Sequence, residues 1–241
     1  MKEAIFEMYK TISVGKNEIC KVCNKDKKLE KPLSIYFIGE QFNSSKDTIL
    51  FVGKTAVGGE EIGDFIDDTF TDATDFGKIS LNLTERYSRQ RAFYFYTNEI
   101  VKRHYGSYDE GCKSIALTNI VKCNNASTID KTTNSIKDNC INKLGIIWKE
   151  VEILNPKRII FYTGRHYDDF INNFRPVDFS SYIDIAHDEN SFWWHRQFKD
   201  KSGKTICDVL RIYHPDYIRH IKGNPKEQYI SKVVTWLKQT V

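Results

Sequence analysis

Two side chains in this sequence stand where chemistry is expected, each directly after a short apolar run. Asn119 follows Ile115-Ala-Leu-Thr and leads into Ile-Val-Lys-Cys123. Its amide offers two donors and an acceptor, enough to read the edge of a heterocyclic base. His214 follows Asp208-Val-Leu-Arg-Ile-Tyr213 and is joined to Pro215, a pairing that fits a rigid turn presenting the imidazole. An amide and a neutral imidazole aimed at one heterocycle could stabilise the anion that develops as a bond to it breaks. The plainer alternatives are a strand-end cap for Asn119 and a surface turn residue for His214.

A third run, Thr48-Ile-Leu-Phe-Val52, enters the loop Gly53-Lys-Thr-Ala-Val-Gly-Gly-Glu60. Lys54 in that loop has three readings: a solvated side chain, a phosphate contact, or an amine nucleophile, which needs a lowered pKa. Beyond it Glu60, Glu61, Asp64, Asp67, Asp68, Asp72 and Asp75 occur with no basic residue between them. Such a run is a solvated face, a source of a water-holding carboxylate (Asp64, just after Gly63), or a divalent-cation site.

Cys20-x2-Cys23 and Cys123-x16-Cys140 form a four-cysteine set. The spacing suits zinc or a [4Fe–4S] cluster, and equally allows four unligated thiols. The start Met1-Lys-Glu-Ala-Ile-Phe-Glu has no signal-peptide core, and no apolar run approaches a membrane span, so the expectation is a soluble, cytoplasmic monomer with reduced or metal-bound thiols. Cys112 and Cys207 precede strands and read as buried apolar residues. Arg219, His220, Lys222 and Lys226 follow His-Pro with Ile218 and Ile221 interleaved, a pattern that suits phosphate contacts around an apolar wedge. Lys21, Lys25, Lys27, Lys28 and Lys31 surround the first cysteine pair and could extend a phosphate track. The alternative for both groups is scattered surface charge. Trp193 and Trp194 read as core or lid packing.

The elements that must position these residues follow from apolar patterning. The chain has 241 residues, of which 40% are hydrophobic and 28% charged, ordinary for a globular α/β domain. Its net charge of +4, from 36 basic and 32 acidic residues, is too small to establish a nucleic-acid partner by itself. Buried strands are expected at 48–52, 115–118, 158–162 and 208–213. Helices are expected at 91–104, 134–154, 164–174 and 227–238. Strands alternating with helices predict a three-layer α/β/α sandwich around a central, mostly parallel four-stranded sheet, with 1–241 as one domain. All four strand ends then share one edge, where such folds bind ligands. Two stretches exceed that minimal domain, near 69–112 and 172–205, and read as insertions, a hairpin or lid among the options.

The order of these motifs resembles the uracil-DNA glycosylase superfamily, and most of all its iron–sulfur branch, family 4. Cys-x-x-Cys precedes a glycine loop. Thr118-Asn-Ile-Val-Lys-Cys123 is similar to that branch's Thr-Asn-Val-Val-Lys-Cys, Cys140 opens the matching helix, and Ile153-Leu-Asn-Pro-Lys-Arg-Ile-Ile160 and His214-Pro215 complete the order. The resemblance implies base excision from DNA, with Asn119 reading a flipped pyrimidine and His214 stabilising the departing base. It implies Phe65 as the stacking aromatic, Gly53 beside the base, and DNA contacts from Pro215, Arg219 and Lys222. It favours iron–sulfur for Cys20, Cys23, Cys123 and Cys140. The first motif departs from the family's Gly-Glu-Ala-Pro-Gly: here it is Gly53-Lys-Thr-Ala-Val57, with Lys54 where the water-positioning carboxylate stands. The catalytic set is therefore His214, Asn119, Lys54 and Asp64, and the base is uracil or another pyrimidine, including a hypermodified phage cytosine and hence anti-phage defence. A non-catalytic, metal-stabilised DNA-binding module is the competing reading, and hydrolysis of free nucleosides a third.

Overall fold

The computed structural model describes residues 1–25, 29–35, 37–57, 66, 92–127, 129–173, 181–188, 192–223 and 225–239. Helix α1 (Lys2–Ile12) ends at Ser13 in the left-handed region, and α2 (Glu18–Asn24) is capped by Asn17, whose side chain accepts from the Cys20 N–H. Strands β1 (Leu29–Pro32), β2 (Phe37–Ile38) and β3 (Ile49–Gly53) precede helices α3 (Ala92–Tyr105) and α4 (Tyr108–Cys112). Then come β4 (Ile115–Asn119), β5 (Cys123–Asn125) and α5 (Asn134–Lys137), which runs into a π-helix at Asp138–Lys143. Helix α6 (Ile146–Leu154), β6 (Arg158–Phe161), a 3-10 turn (Arg165–Tyr167) and α7 (Asp168–Asn173) follow. The chain closes with β7 (Ser181–His187), β8 (Trp193–Lys199), β9 (Thr205–Ile212), α8 (Pro215–Arg219) and α9 (Lys226–Leu237).

The main sheet has seven strands in the order β2-β4-β3-β6-β9-β8-β7. Neighbours β4, β3, β6 and β9 are mutually parallel, whereas β2, β8 and β7 join antiparallel at the two sides. The expected four-stranded sheet is thus corrected to a mixed sheet of seven. The added strands are short or polar, so apolar runs do not announce them. β7 and β8 form an antiparallel hairpin inside the 172–205 stretch. A separate ribbon pairs β1 with β5.

Strand alternation divides the core between two faces. Leu50, Val52, Ala116, Ile159, Phe161 and Val209 pack with Ile5 and Tyr9 of α1, Ile141 of the π-helix and Trp148 of α6. Ile49, Phe51, Ile115, Leu117, Ile160 and Leu210 pack with Ile100 of α3, Ile218 of α8 and Val233 of α9. Burying each such side chain stabilises by about 1.5–3 kcal/mol over leaving it in water.

The continuous helix expected over 134–154 is also corrected. The apolar stripe is real, and Ile136, Cys140, Ile141, Ile147, Trp148 and Val151 are all buried. The backbone widens to a π-turn at 138–143 and breaks at Gly145, whose φ of 63° belongs to the left-handed region. Cys112, expected buried, is half-buried at the end of α4 with its thiol on the Asp109 carbonyl.

One charged cluster lies inside the first face. The Lys122 ammonium sits 2.6 Å from a Glu150 carboxylate oxygen, their side chains 1% and 0% exposed. Thr118 donates to the same carboxylate at 2.9 Å, as does the Tyr9 hydroxyl, which in turn accepts from the Ile35 N–H at 2.9 Å. The cluster ties α1 and α6 to the segment between Thr118 and Cys123.

Candidate functional site

The four parallel strands end at one edge, as the sequence predicts. There Gly53 lies beside Asn119 in the β3–β4 register, and the Ile120 and Val121 N–H groups donate to the carbonyls of Gly53 and Lys54, both at 2.9 Å. A Cβ on Gly53 would overlap the Asn119 Oδ1, so glycine here is what lets the amide lie at the strand end. Asn119 itself is 8% exposed. His214 stands two residues past β9, on the far side of β3 and β6. Three strand spacings of about 4.8 Å separate the two flanking strands by roughly 14 Å. Phe93, on the first turn of α3, contacts both halves. Its ring lies 3.3 Å from where a Gly53 Cβ would be, and it faces the His214 imidazole at a centroid separation of 6.3 Å with planes 17° apart. Tyr162 holds it from the side, edge-on at 5.6 Å.

His214 is the N-cap of α8, and its Nδ1 accepts the Asp216 N–H at 3.2 Å, with Pro215 opening the helix. A neutral imidazole whose Nδ1 accepts carries its proton on Nε2, which is then the donor. Burial, and secondarily the Lys54 charge, push the His214 pKa down to about 3. The ring is neutral at physiological pH. Lys54 is partly buried, and burial lowers its own pKa, while the carboxylates of Asp130 and Asp216 pull it back up. No ion pair to Lys54 forms among the described residues. The edge therefore combines an amide, a neutral donor imidazole and a cation.

Asp64 and Phe65, with Glu60 and Glu61, lie outside the described residues, as do Lys27 and Lys28. Pro215 is buried at the first position of α8. Arg219 pairs with Asp216 at 2.6 Å, and Lys222 is exposed. The wedge reading of Ile218 is corrected: Ile218 is 5% exposed and packs into the core, whereas its neighbour Tyr217 is 49% exposed. A five-residue helix seated on the sheet turns one flank inward, and that flank carries Ile218. Trp194 is buried, as expected of a packing residue, with its indole N–H on Asp168. Phe93 and Asp130 were not singled out by sequence. Phe93 opens an expected helix but is one of 15 phenylalanines. Asp130 lies in a loop whose relation to Lys54 exists only in three dimensions.

The four cysteines gather in one buried corner, each 5–7% exposed. Cys20 and Cys23 share a face of α2 by their i, i+3 spacing. Cys123 starts β5, and Cys140 lies on the π-helix. Burial and the neighbouring thiols raise the Cys123 pKa, and burial carries Cys140 to about 12. The Asn139 amide donates to the Cys23 Sγ at 3.3 Å and the Lys122 N–H to the Cys140 Sγ at 3.4 Å. The thiols share the corner without closing into a metal-holding group among the described residues.

Among the described residues no helix is long and apolar enough to cross a membrane. A comparison with curated proteins gives no match. The sequence model of the uracil DNA glycosylase superfamily matches residues 27–238, from the approach to β1 to the end of α9. Helix α1, α2 and the first cysteine pair precede the matched region. Since the match contains the whole parallel quartet with Gly53, Asn119 and His214 at its edge, the chain belongs to the uracil DNA glycosylase superfamily, whose members are generally DNA-acting glycosylase hydrolases.

Proposed function

We propose that this chain is a DNA glycosylase that extrudes a pyrimidine nucleotide and hydrolyses its N-glycosidic bond, leaving an abasic site. The observation that carries the reading is His214 at the sheet edge beside Phe93, its Nδ1 accepting the Asp216 N–H so that a neutral ring donates through Nε2. As the bond to C1′ lengthens, negative charge moves onto the base. An Nε2–H aimed at a base oxygen stabilises that charge without having to give up a proton. Asn119 reads the pyrimidine edge through its amide, and Phe93 supplies an apolar wall between the two. Water attacks C1′ from the other face. Lys54 replaces the carboxylate that a resembling motif would place there, and among the described residues the acidic groups whose charge reaches it are Asp130 and Asp216. We assign Asp130 or Asp64 to hold the water and Lys54 to a backbone phosphate. Extrusion itself costs about a few kcal/mol, least for a base already poorly paired.

The altered loop and the added β7–β8 hairpin favour a base other than plain uracil, and a hypermodified cytosine of a phage genome would make the protein a defence enzyme. Alkali-sensitive site formation on uracil-containing, hypoxanthine-containing and hypermodified-cytosine DNA tests this. Robust release of uracil with none from modified DNA would remove the defence reading. The same Lys54 favours a second reading, a module that grips DNA without cutting. His214→Ala distinguishes them: an enzyme loses turnover and keeps its phosphate-driven affinity, while a pure binder has no turnover to lose.

We further propose that Cys20, Cys23, Cys123 and Cys140 hold a [4Fe–4S] cluster that fastens α2 to the sheet. Four buried cysteines whose thiols feel one another's charge, two of them receiving N–H donors, support this reading. Visible absorption and iron content of anaerobically purified protein test this; zinc at one equivalent with no visible band would replace it.

A further inference from the structure

An aromatic shelf adjoins the candidate site and has no part in the chemistry above. Tyr213 and Tyr217 flank the His-Pro turn and stack on each other, centroids 4.8 Å apart and planes 25° apart. Phe192 meets Tyr213 from the β7–β8 hairpin at 5.1 Å. The β8–β9 register, which pairs Trp193 with Ile212, sets Phe192 opposite Tyr213 one step further on. Gly164, with a φ of 65°, lies beneath the Tyr213 ring, and a Cβ there would stand 3.0 Å from Tyr213 Cδ1. The Tyr213 carbonyl is held by the Tyr229 hydroxyl at 2.7 Å. The inner ring is thus fixed from below and behind, while Tyr217 and Phe192 remain 49% and 38% exposed.

Exposed aromatics held rigid at a site mouth offer flat faces to a flat ligand. Cations lie nearby: Lys232 sits 3.7 Å over the ring of Trp193, next to Phe192, Lys222 is exposed, and Arg219, paired with Asp216, lies on the same short helix as Tyr217. Aromatic faces interleaved with cations match single-stranded nucleic acid, whose bases present free faces, better than a closed duplex, whose bases cover one another. We propose that the Phe192–Tyr213–Tyr217 shelf stacks on an unpaired base neighbouring the extruded nucleotide, making single-stranded or locally opened DNA the preferred substrate form. The proposal rests on the reading that this sheet edge receives DNA.

The test uses the full chain and short oligonucleotides that contain no excisable base, with 2-aminopurine as a stacking reporter. Wild-type protein should bind the single strand more tightly than the duplex and quench the reporter. Tyr217→Ala should weaken single-strand binding on the order of tenfold and abolish quenching. Tyr217→Phe should retain both, and Phe192→Ala should give a smaller loss. Equal affinity for single strand and duplex, or unchanged binding and quenching in Tyr217→Ala and Phe192→Ala, would overturn the shelf. So would self-association that Tyr217→Ala abolishes while DNA affinity stays constant, since the shelf would then be covered by a second copy. Shelf-dependent binding without excision of any base removes the glycosylase reading alone. Excision with shelf-independent binding removes the shelf alone.

Discussion

Lys54 and Lys122 are each withdrawn from water near the same strand ends, and the fold treats them in opposite ways. Lys122 is sealed with Glu150, Thr118 and Tyr9 around it, its charge cancelled at 2.6 Å. Among the described residues Lys54 meets only the more distant fields of Asp130 and Asp216, and burial lowers its pKa. A buried charge without a partner is costly, so a chain keeps one only where something else completes it. The contrast separates an internal tie from a cation that, among the described residues, forms no ion pair.

The sharpest way to break this contrast is to remove Glu150. Glu150→Ala leaves the Lys122 ammonium buried alone and should destabilise by about 3–5 kcal/mol, read from denaturant unfolding. Lys54→Met, by the same measurement, should shift stability by no more than about 0.5 kcal/mol. Equal effects would erase the distinction.

Next in size is His214→Ala, which should lower turnover on the cognate base by about 10²–10³-fold, as loss of a donor to a developing anion does. DNA affinity should hold nearly constant in a filter-binding or anisotropy titration. Gly53→Ala comes after it: the new methyl displaces the Asn119 amide, and excision should fall at least about tenfold, equivalent to about 1.4 kcal/mol, with an unchanged circular dichroism spectrum.

His214 also carries a pH signature. Its folded-state pKa of about 3 lies below its ordinary 6.5, so the unfolded chain takes up that proton more readily. Its contribution to stability is full above about pH 6.5 and is lost progressively as pH falls toward 3. Imidazole resonances followed by NMR should show the ring neutral at pH 5; an imidazolium there would refute the donor assignment. The smallest effect is expected at the rim, where Lys222→Ala should reduce the salt dependence of DNA binding by about one phosphate contact.

Particular residues show how far sequence reading reached. The four parallel strands were legible because strands buried on both faces are continuous apolar runs, as in Ile49-Leu-Phe-Val52. β8 was not, because Trp193-Trp-His-Arg-Gln-Phe-Lys199 is polar on one side and joins the sheet antiparallel. The break at 138–145 was hidden because the spacing of apolar residues alone does not tell a π-turn followed by a break from a continuous helix. Asn119 and His214 were legible as polar residues closing apolar runs. Phe93 and Asp130 were not, since each gains its place only from a partner distant along the chain.

By itself, the sequence determined which segments are apolar enough to be buried and, through their alternation with helices, that their polar ends share an edge. Only the tertiary structure decided that Lys122 is paired with Glu150, that the His214 Nδ1 accepts the Asp216 N–H, and that Tyr217 rather than Ile218 faces outward. Those outcomes depend on distances and burial between remote segments, and local composition carries no information about either.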